Sequence, residues 1–147
     1  MQYKFEDIAI NSTAKKKPTE EDKDTYIGLE HLDSDCLYVT RWGADAAPTG
    51  EKLLMKKGDV LFGKIRPYFH KVAVLPYDVY CSGDALVLNA INEEMYGFVV
   101  LTLFSVRCVD YAVQMSNGAK MPRAEWKELQ NFKIPIPNSE VAQKFNQ

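Results

Sequence analysis

Histidine and cysteine are scarce in this sequence of 147 residues, and their scarcity limits the chemistry that the chain can perform. The three cysteines, Cys36, Cys81 and Cys108, are an odd number at wide spacing, which fits neither a disulfide framework nor a zinc site. The two histidines cannot form a three-histidine zinc site, although His31 has acidic neighbours. We therefore expect buried thiols in a reducing compartment, and no metal.

Long hydrophobic runs are also missing. The longest apolar stretch, residues 98–104, is too short to span a bilayer and contains Thr102. Residues 1–7 lack the apolar region of a signal peptide. The sequence therefore predicts a cytoplasmic protein that has no membrane partner.

The motifs of common enzymes are absent as well. Residues 82–84 lack the Gly-x-Ser-x-Gly context of a nucleophile elbow, and we find no phosphate-binding glycine loop, dinucleotide fingerprint or methyltransferase cofactor loop. The turn at residues 57–60 suggests a small β-barrel or jelly-roll enzyme, but no cluster of ligand residues accompanies it. We predict that the chain is not an enzyme and has no catalytic residues.

The overall composition is that of one globular domain, with 46% hydrophobic and 26% charged residues and a net charge of −2. A negative net charge argues mildly against nucleic-acid binding, but the charge is unevenly distributed. Residues 52–71 and 120–147 have net charges of +5 and +2, whereas residues 1–51 and 72–119 have −5 and −4. If the fold brings the two basic windows together, one face is cationic; otherwise these charges merely keep loops soluble.

The spacing of apolar residues predicts a strand-rich first part and a helical second part. After residue 93 the apolar period changes to three and four, which predicts one helix over residues 93–115. Pro122 stands where a first helical position would be, so a short helix is predicted over residues 123–129. The other expected elements are a mobile surface loop at 11–24, a strand at 25–29, a loop at 43–50, a turn at 57–59, a strand from Val60 that Pro67 interrupts, strands at 71–75 and 85–88, and an edge strand at 132–136.

The strongest local feature is the segment of residues 58–71, in which a turn leads into a strand and a proline bend. In an extended strand, Lys64 and Arg66 share a face because they are two residues apart. Together with Tyr68 and Lys71 they suit phosphate contact and base reading, since arginine offers a bidentate fork and lysine a point charge. The alternative is an exposed hairpin with solvated charges.

A second feature is the segment of residues 116–123, where Lys120 and Arg123 flank the expected helix start. Free amides at a helix N-terminus bind anions, so this segment could hold a phosphate. The alternative is simply the end of one helix followed by the start of the next.

Two weaker features are the lysine run at residues 15–17 and the pair Arg41 and Trp42. A lysine run is usually solvated. The Trp42 indole would either contact a base or groove beside Arg41 or pack into the core, which is the commoner role of a tryptophan.

In three stretches, taken in order, the sequence resembles the target recognition domains of type I restriction–modification specificity subunits. The match covers nearly the whole chain. The matching stretches are residues 26–31, an early strand motif; residues 58–68 with Lys71 and Val72, the most recognisable block; and residues 118–122, 126–129 and 132–137, the closing block.

The resemblance implies an α/β fold of the α+β type, with a curved, mostly antiparallel sheet and a few packing helices. It implies a non-catalytic module that reads one half of a split double-stranded DNA target. Family members dock on a modification methyltransferase, which methylates a flipped-out adenine, and they recruit a restriction subunit. S-adenosylmethionine and Mg-ATP would belong to those partner subunits, so we expect no cofactor in this chain.

We predict a DNA recognition domain over residues 1–137 and the start of a truncated spacer helix over residues 138–147. The family usually has two recognition domains, and its Glu-Gln pair after the proline motif is replaced here by residues 140–143. A fragment or half-subunit is therefore expected. The alternative function is an interaction module or inactive remnant that forms homodimers through the apolar residues 95–106. The predicted DNA-binding residues are Lys64, Arg66, Tyr68, Lys71, Lys120, Arg123 and, more weakly, Arg41.

Overall fold

The structure is a computed structural model that describes residues 2–37, 39, 43, 50–74, 78–116 and 122–135. In these residues the strands are β1 (Gln2–Lys4), β2 (Ala9–Ser12), β3 (Lys15–Lys16), β4 (Tyr26–Ile27), β5 (Lys52–Met55), β6 (Val60–Gly63), β7 (Val72–Val74), β8 (Val79–Cys81), β9 (Ala85–Ala90) and β10 (Lys133–Pro135). The α-helices are α1 (Tyr96–Phe104), α2 (Val106–Gln114) and α3 (Trp126–Leu129). The 3-10 helices are Phe5–Asp7, Glu20–Thr25, Leu29–His31, Pro67–Phe69 and Glu93–Met95.

The described strands form three sheets. The central sheet has the order β2-β9-β6-β7 and is antiparallel. A second sheet has the order β3-β5-β8-β4, in which β4 and β8 run parallel and the other pairs antiparallel. Strands β1 and β10 form an antiparallel pair. The predicted fold class, mixed α/β with mainly antiparallel strands and few helices, is confirmed.

The central sheet is buried on both faces, because its side chains alternate between two cores. Val60 and Phe62 of β6 pack in one core with Val99 and Leu103 of α1. Leu61, which lies between them in sequence, belongs to the core shared with the second sheet. These five side chains are at most 1% exposed, and burying each one fully is worth about 1.5–3 kcal/mol. Strand β6 is therefore apolar at consecutive positions, as in other strands covered on both sides.

The predicted turn at residues 57–59 is confirmed and leads into β6. Gly58 has a φ of +93°, which suits glycine. The backbone amide of Lys56 donates to Asp59 Oδ2 at 2.9 Å, so the carboxylate closes the turn. The strands expected from Val60, at 71–75 and at 85–88 correspond to β6, β7 and β9, whereas β8 was not predicted.

The prediction of one helix over residues 93–115 is wrong. The chain bends by 62° between Glu93–Phe104 and α2. At the bend Ser105 is extended, with φ −78° and ψ 146°. Its hydroxyl donates to the Thr102 carbonyl at 2.7 Å and accepts from the Cys108 amide at 3.2 Å. One serine thus ends α1 and caps α2, a role that apolar spacing does not reveal.

The expectation of a surface loop over residues 11–24 is also wrong. This segment contains the end of β2, all of β3 and most of the 3-10 helix Glu20–Thr25. The Thr19 amide donates to the Asp22 carboxylate at 2.8 Å, and the Asp22 amide donates back to the Thr19 carbonyl at 2.9 Å. These local hydrogen bonds order a polar stretch that has few apolar residues.

The predicted edge strand at 132–136 is confirmed by β10, which pairs with β1. The expected spacer helix over residues 138–147 lies outside the described residues, as does most of the loop expected at 43–50. No single helix in the described part of the chain is long and apolar enough to cross a membrane. The bent pair of Glu93–Phe104 and α2 reaches that length and hydrophobicity only when its two halves are counted together.

Candidate functional site

Two segments that are distant in sequence meet beyond the end of β6. Two backbone hydrogen bonds of 2.7 Å join residues 64–66 to residues 122–124 and flank an isolated antiparallel bridge between Ile65 and Arg123. The structure thus brings together the segments that contain three of the predicted cations, Lys64, Arg66 and Arg123. The hydrogen bonds run from the amide of Arg66 to the carbonyl of Pro122, and from the amide of Ala124 to the carbonyl of Lys64.

This pairing corrects the helix predicted over residues 123–129. Residues 122–124 belong to the bridge, and α3 begins at Trp126. Pro122 has no N–H, so at a bridge of this kind it can serve as an acceptor only, and this is how Arg66 uses it. The helix N-terminus that was expected to hold an anion at residues 116–123 therefore does not start at Pro122.

Arg66 and His70 enclose a short turn and take strained backbone conformations. Their φ and ψ angles are 50° and 62° for Arg66 and 51° and 57° for His70, in the left-handed region that non-glycine residues rarely adopt. The 3-10 helix Pro67–Phe69 lies between them. Each such conformation costs on the order of 1–3 kcal/mol and persists only where the surrounding structure enforces it. Because Arg66 is left-handed, it does not share a strand face with Lys64, contrary to the prediction.

His70 anchors this turn in the interior. Its Nδ1 lies 2.5 Å from Oδ1 of Asp35, and the imidazole is the donor because a carboxylate only accepts. The Asp35 amide donates in return to the His70 carbonyl at 3.0 Å. The ring centroids of His70 and Phe104 are 4.9 Å apart, and His70 is 8% exposed. Its Nε2 is buried and has no hydrogen-bond partner in the described part of the chain. The turn is thereby fixed against α1.

The turn presents two aromatic side chains to solvent. Tyr68 is 51% exposed and Phe69 is 44% exposed, and their ring centroids are 4.8 Å apart. Arg66 and Arg123 are exposed beside them. Cations next to exposed aromatic rings suit contacts with phosphates, base edges and base faces. Phe69 was not among the predicted residues; its position next to Tyr68, just after a proline bend, is the signal that could have identified it.

The two predicted lysines of this region have internal neighbours. Lys71 Nζ donates to the carbonyl of Leu29 at 2.8 Å, which ties the start of β7 to the 3-10 helix Leu29–His31. Lys64 Nζ lies 4.0 Å from Oε2 of Glu125, in a part-exposed ion pair worth about 0–1 kcal/mol. Lys71 thus helps to hold the fold together, whereas Lys64 has only a weak internal partner. Lys120, Arg41 and Trp42 lie outside the described residues.

The cysteines and acidic groups of the described residues do not form a second site. Burial raises the pKa of both Cys81 and Cys108 to about 12, which fits the expected buried thiols, while Cys36 is half-buried. Burial also raises the pKa of Asp59. In the described part of the chain, no group of three or more His, Cys, Asp or Glu side chains is arranged to hold a metal ion.

Sequence comparison places the chain among known proteins. Residues 2–146 match the family described as Type I restriction modification DNA specificity domain. The Type I restriction enzyme EcoDI specificity subunit of Escherichia coli is 22% identical over 136 residues, which are 91% of this chain and 30% of that protein. The chain therefore spans about a third of the length of this curated relative.

Solved structures share the fold. The HsdS subunit from Thermoanaerobacter tengcongensis superposes with a TM-score of 0.75 at 20% sequence identity. The match covers 98% of this chain and 39% of the HsdS chain. A chain of a type I R-M system, solved to explain complex assembly and conformational transition, gives 0.76 at 20% identity, with 98% and 40% coverage. The type I restriction-modification S subunit from M. genitalium gives 0.59 at 13% identity, with 98% and 37% coverage.

Proposed function

Because the chain belongs to the family of type I restriction modification DNA specificity domains, we propose that it reads a short sequence of double-stranded DNA for a type I restriction–modification complex. It acts as a non-catalytic specificity component. A modification methyltransferase subunit supplies the methylation chemistry with S-adenosylmethionine, and a restriction subunit supplies cleavage with Mg-ATP. Since the chain spans 30% of the curated relative, it reads one part of a target.

The observation that carries this proposal is the turn between Arg66 and His70. A strained backbone held by a buried anchor presents one guanidinium and two aromatic rings to solvent. Arg66 donates its fork to a guanine edge, and Tyr68 and Phe69 pack against bases or sugars. Arg123, across the bridge, contacts the phosphate backbone.

The remaining predicted residues take supporting roles in this proposal. Lys64 and Lys120 contact phosphates, and Arg41 contacts a DNA groove. Lys71 holds the turn in place through the Leu29 carbonyl, because its ammonium already donates there. These assignments make the 64–71 segment the specificity element and the other cations its electrostatic support.

A methylome comparison tests the proposal. In a host that carries the matching methyltransferase, the gene should add one methylated adenine motif, and deleting the gene should remove it. Arg66→Ala should relax that motif at one position, since losing a bidentate base contact costs about 1–3 kcal/mol. Lys57→Ala, a change in the turn before β6, serves as the control and should leave the motif intact. An unchanged set of methylated motifs after deletion would contradict the proposal.

A second candidate, an oligomerisation module, is favoured by exposed apolar side chains on the helices. Leu101 and Val106 are 47% and 71% exposed, whereas Val99 and Leu103 in the same stretch are buried in the core. If this candidate is right, the chain is a homodimer in solution and Val106→Glu makes it monomeric. Measurement of mass in solution, with and without DNA, separates this candidate from DNA recognition.

A further inference from the structure

A cleft of about 390 Å³ has Lys64 in its lining, two residues before the Arg66–His70 turn. Three lysines from three different elements line it: Lys15 of β3, Lys64 beyond the end of β6, and Lys127 of α3. Among the described residues, Glu125 is the acidic residue in its lining, and Ser12 and Thr13 are the residues there that carry hydroxyl groups. The residues that line the cleft therefore include three lysines against one glutamate, beside apolar residues such as Leu53 and Trp126, in a chain whose net charge is −2.

Strand β3 directs one lysine of the 15–17 run into this cleft. Successive side chains of a strand point to opposite faces, so Lys15 and Lys16 diverge. Lys15 lines the cleft, whereas Lys16 lies near Asp22. The pKa of Asp22 is lowered chiefly by the hydrogen bond from the Thr19 amide and, to a smaller extent, by the charge of Lys16. The two neighbouring lysines thus have different surroundings, and the run is not a uniformly solvated loop.

The chemistry of the lining suits a phosphate. Ammonium groups bind phosphate oxygens as point charges, and serine and threonine hydroxyls donate to them. Lys64 is held only loosely by Glu125, since its Nζ lies 4.0 Å from the carboxylate oxygen. A phosphate in the cleft would therefore compete with a weak internal partner.

We propose that this cleft holds a backbone phosphate of the same DNA duplex whose bases the turn reads, an inference that rests on the proposed function. Lys64 links the cleft to the Arg66–His70 turn, because it precedes Arg66 by two residues. Two residues of extended chain span at most roughly 7 Å. A duplex carries one phosphate charge per about 1.7 Å of its axis, so phosphates lie within reach of the cleft when bases lie over the turn. Phosphate contacts carry no sequence information and instead set the register in which bases are read.

The salt dependence of duplex binding tests the cleft. The full chain would be titrated with duplex DNA at several salt concentrations, alone and with a type I modification methyltransferase. Lys15→Ala and Lys127→Ala should each flatten the slope of log K against log salt by about 0.9, and together by about 1.8, because a variant that neutralises fewer phosphates releases fewer counterions on binding. The preference for target over unrelated DNA should not change. Glu125→Gln should tighten binding, since it removes the carboxylate from the cleft.

Two exposed lysines outside the lining provide matched controls. Lys16→Ala changes the next residue of the same strand on the opposite face, and Lys133→Ala changes an exposed lysine of β10. Both should keep the slope of the unsubstituted chain. All four lysines are exposed, so thermal unfolding should confirm that each variant is folded.

The possible outcomes distinguish the two proposals. If Lys15→Ala and Lys127→Ala match Lys16→Ala in slope while Arg66→Ala still changes the preferred sequence, the cleft proposal is overturned and the proposed function stands. A change in sequence preference rather than slope in Lys15→Ala also overturns it, because that result indicates a base contact. If the unsubstituted chain binds no duplex in either form, both proposals fail.

Discussion

At position 66 the backbone and the side chain have conflicting requirements. A φ of 50° suits glycine, yet the chain has arginine there, followed by proline. A left-handed conformation costs an L-residue roughly 1–2 kcal/mol, and strain of this kind concentrates at functional sites. The guanidinium is therefore retained although a smaller residue would fold more easily, which supports a binding role for Arg66.

This conflict predicts that two truncations of Arg66 differ in stability. Arg66→Gly should have a free energy of unfolding about 1 kcal/mol higher than Arg66→Ala, because glycine adopts the left-handed conformation without a Cβ clash. Both variants lose the guanidinium, so both should relax the same position of the DNA motif. Urea denaturation of the two variants measures the difference. Equal unfolding free energies would contradict a strained backbone at this position.

The thiols offer a second test at the residue scale. With pKa values of about 12, Cys81 and Cys108 have a thiolate fraction at pH 8 on the order of 10⁻⁴, and they should resist a thiol reagent in the folded chain. Half-buried Cys36 should react first. A colorimetric assay should count one fast thiol in buffer and three in denaturant. Three fast thiols in buffer would show that the cores are not packed as described.

Individual residues differ in how far the sequence reveals them. Arg66 and Tyr68 were predicted to be functional because cations and an aromatic follow one another around a proline, and both are exposed. The left-handed backbone at Arg66 was not predictable, since Arg66 lies between a bridge to residues 122–124 and the buried His70, both of which appear only in the fold. Phe69 was missed because an apolar residue in a strand-rich segment is more often buried.

Among the elements, the break between α1 and α2 gives a clear prediction. Ser105→Ala should lower the free energy of unfolding by about 1 kcal/mol, because the Cys108 amide loses its capping acceptor. Ser116→Ala is the matched control: that hydroxyl donates to the Val113 carbonyl after the end of α2 and caps no helix start, so the change should stay within about 0.5 kcal/mol. Urea denaturation compares both variants, and equal losses would contradict the capping role of Ser105.

Elements that depend on local chemistry were predictable, and elements that depend on a distant partner were not. The turn at residues 57–59 and strand β6 follow from glycine, aspartate and a run of apolar residues. Residues 122–124 fit either a helix start or a bridge, because proline is compatible with both. The bridge forms because residues 122–124 hydrogen-bond to the Arg66 amide and the Lys64 carbonyl. These partners are too distant in sequence for a local pattern to reveal them.

Across the whole molecule, the position of charge matters more than its sum. The two basic windows of the sequence meet at the bridge between Ile65 and Arg123, the arrangement that one cationic face requires. Lys15 also belongs to this surface, because it lines the same cleft as Lys64. It comes from residues 1–51, whose net charge of −5 gives no sign of a cationic contribution. The pairing of β3 with β5 places it there, so the fold shows which lysine of the 15–17 run joins this surface.

The same distribution predicts how steeply DNA binding responds to salt. Five cations, Lys15, Lys64, Lys120, Arg123 and Lys127, are proposed to meet phosphates, which gives a slope of log K against log salt of about −4.5 for the chain alone. The acidic remainder of the chain should add no contacts, and a bound methyltransferase should steepen the slope by contributing its own. Titrations of one duplex at several salt concentrations, with and without the partner, measure both slopes. A slope near zero for the chain alone would mean that these cations do not form a phosphate-binding surface. Identical slopes with and without the methyltransferase would mean that the chain supplies all the electrostatic contacts itself.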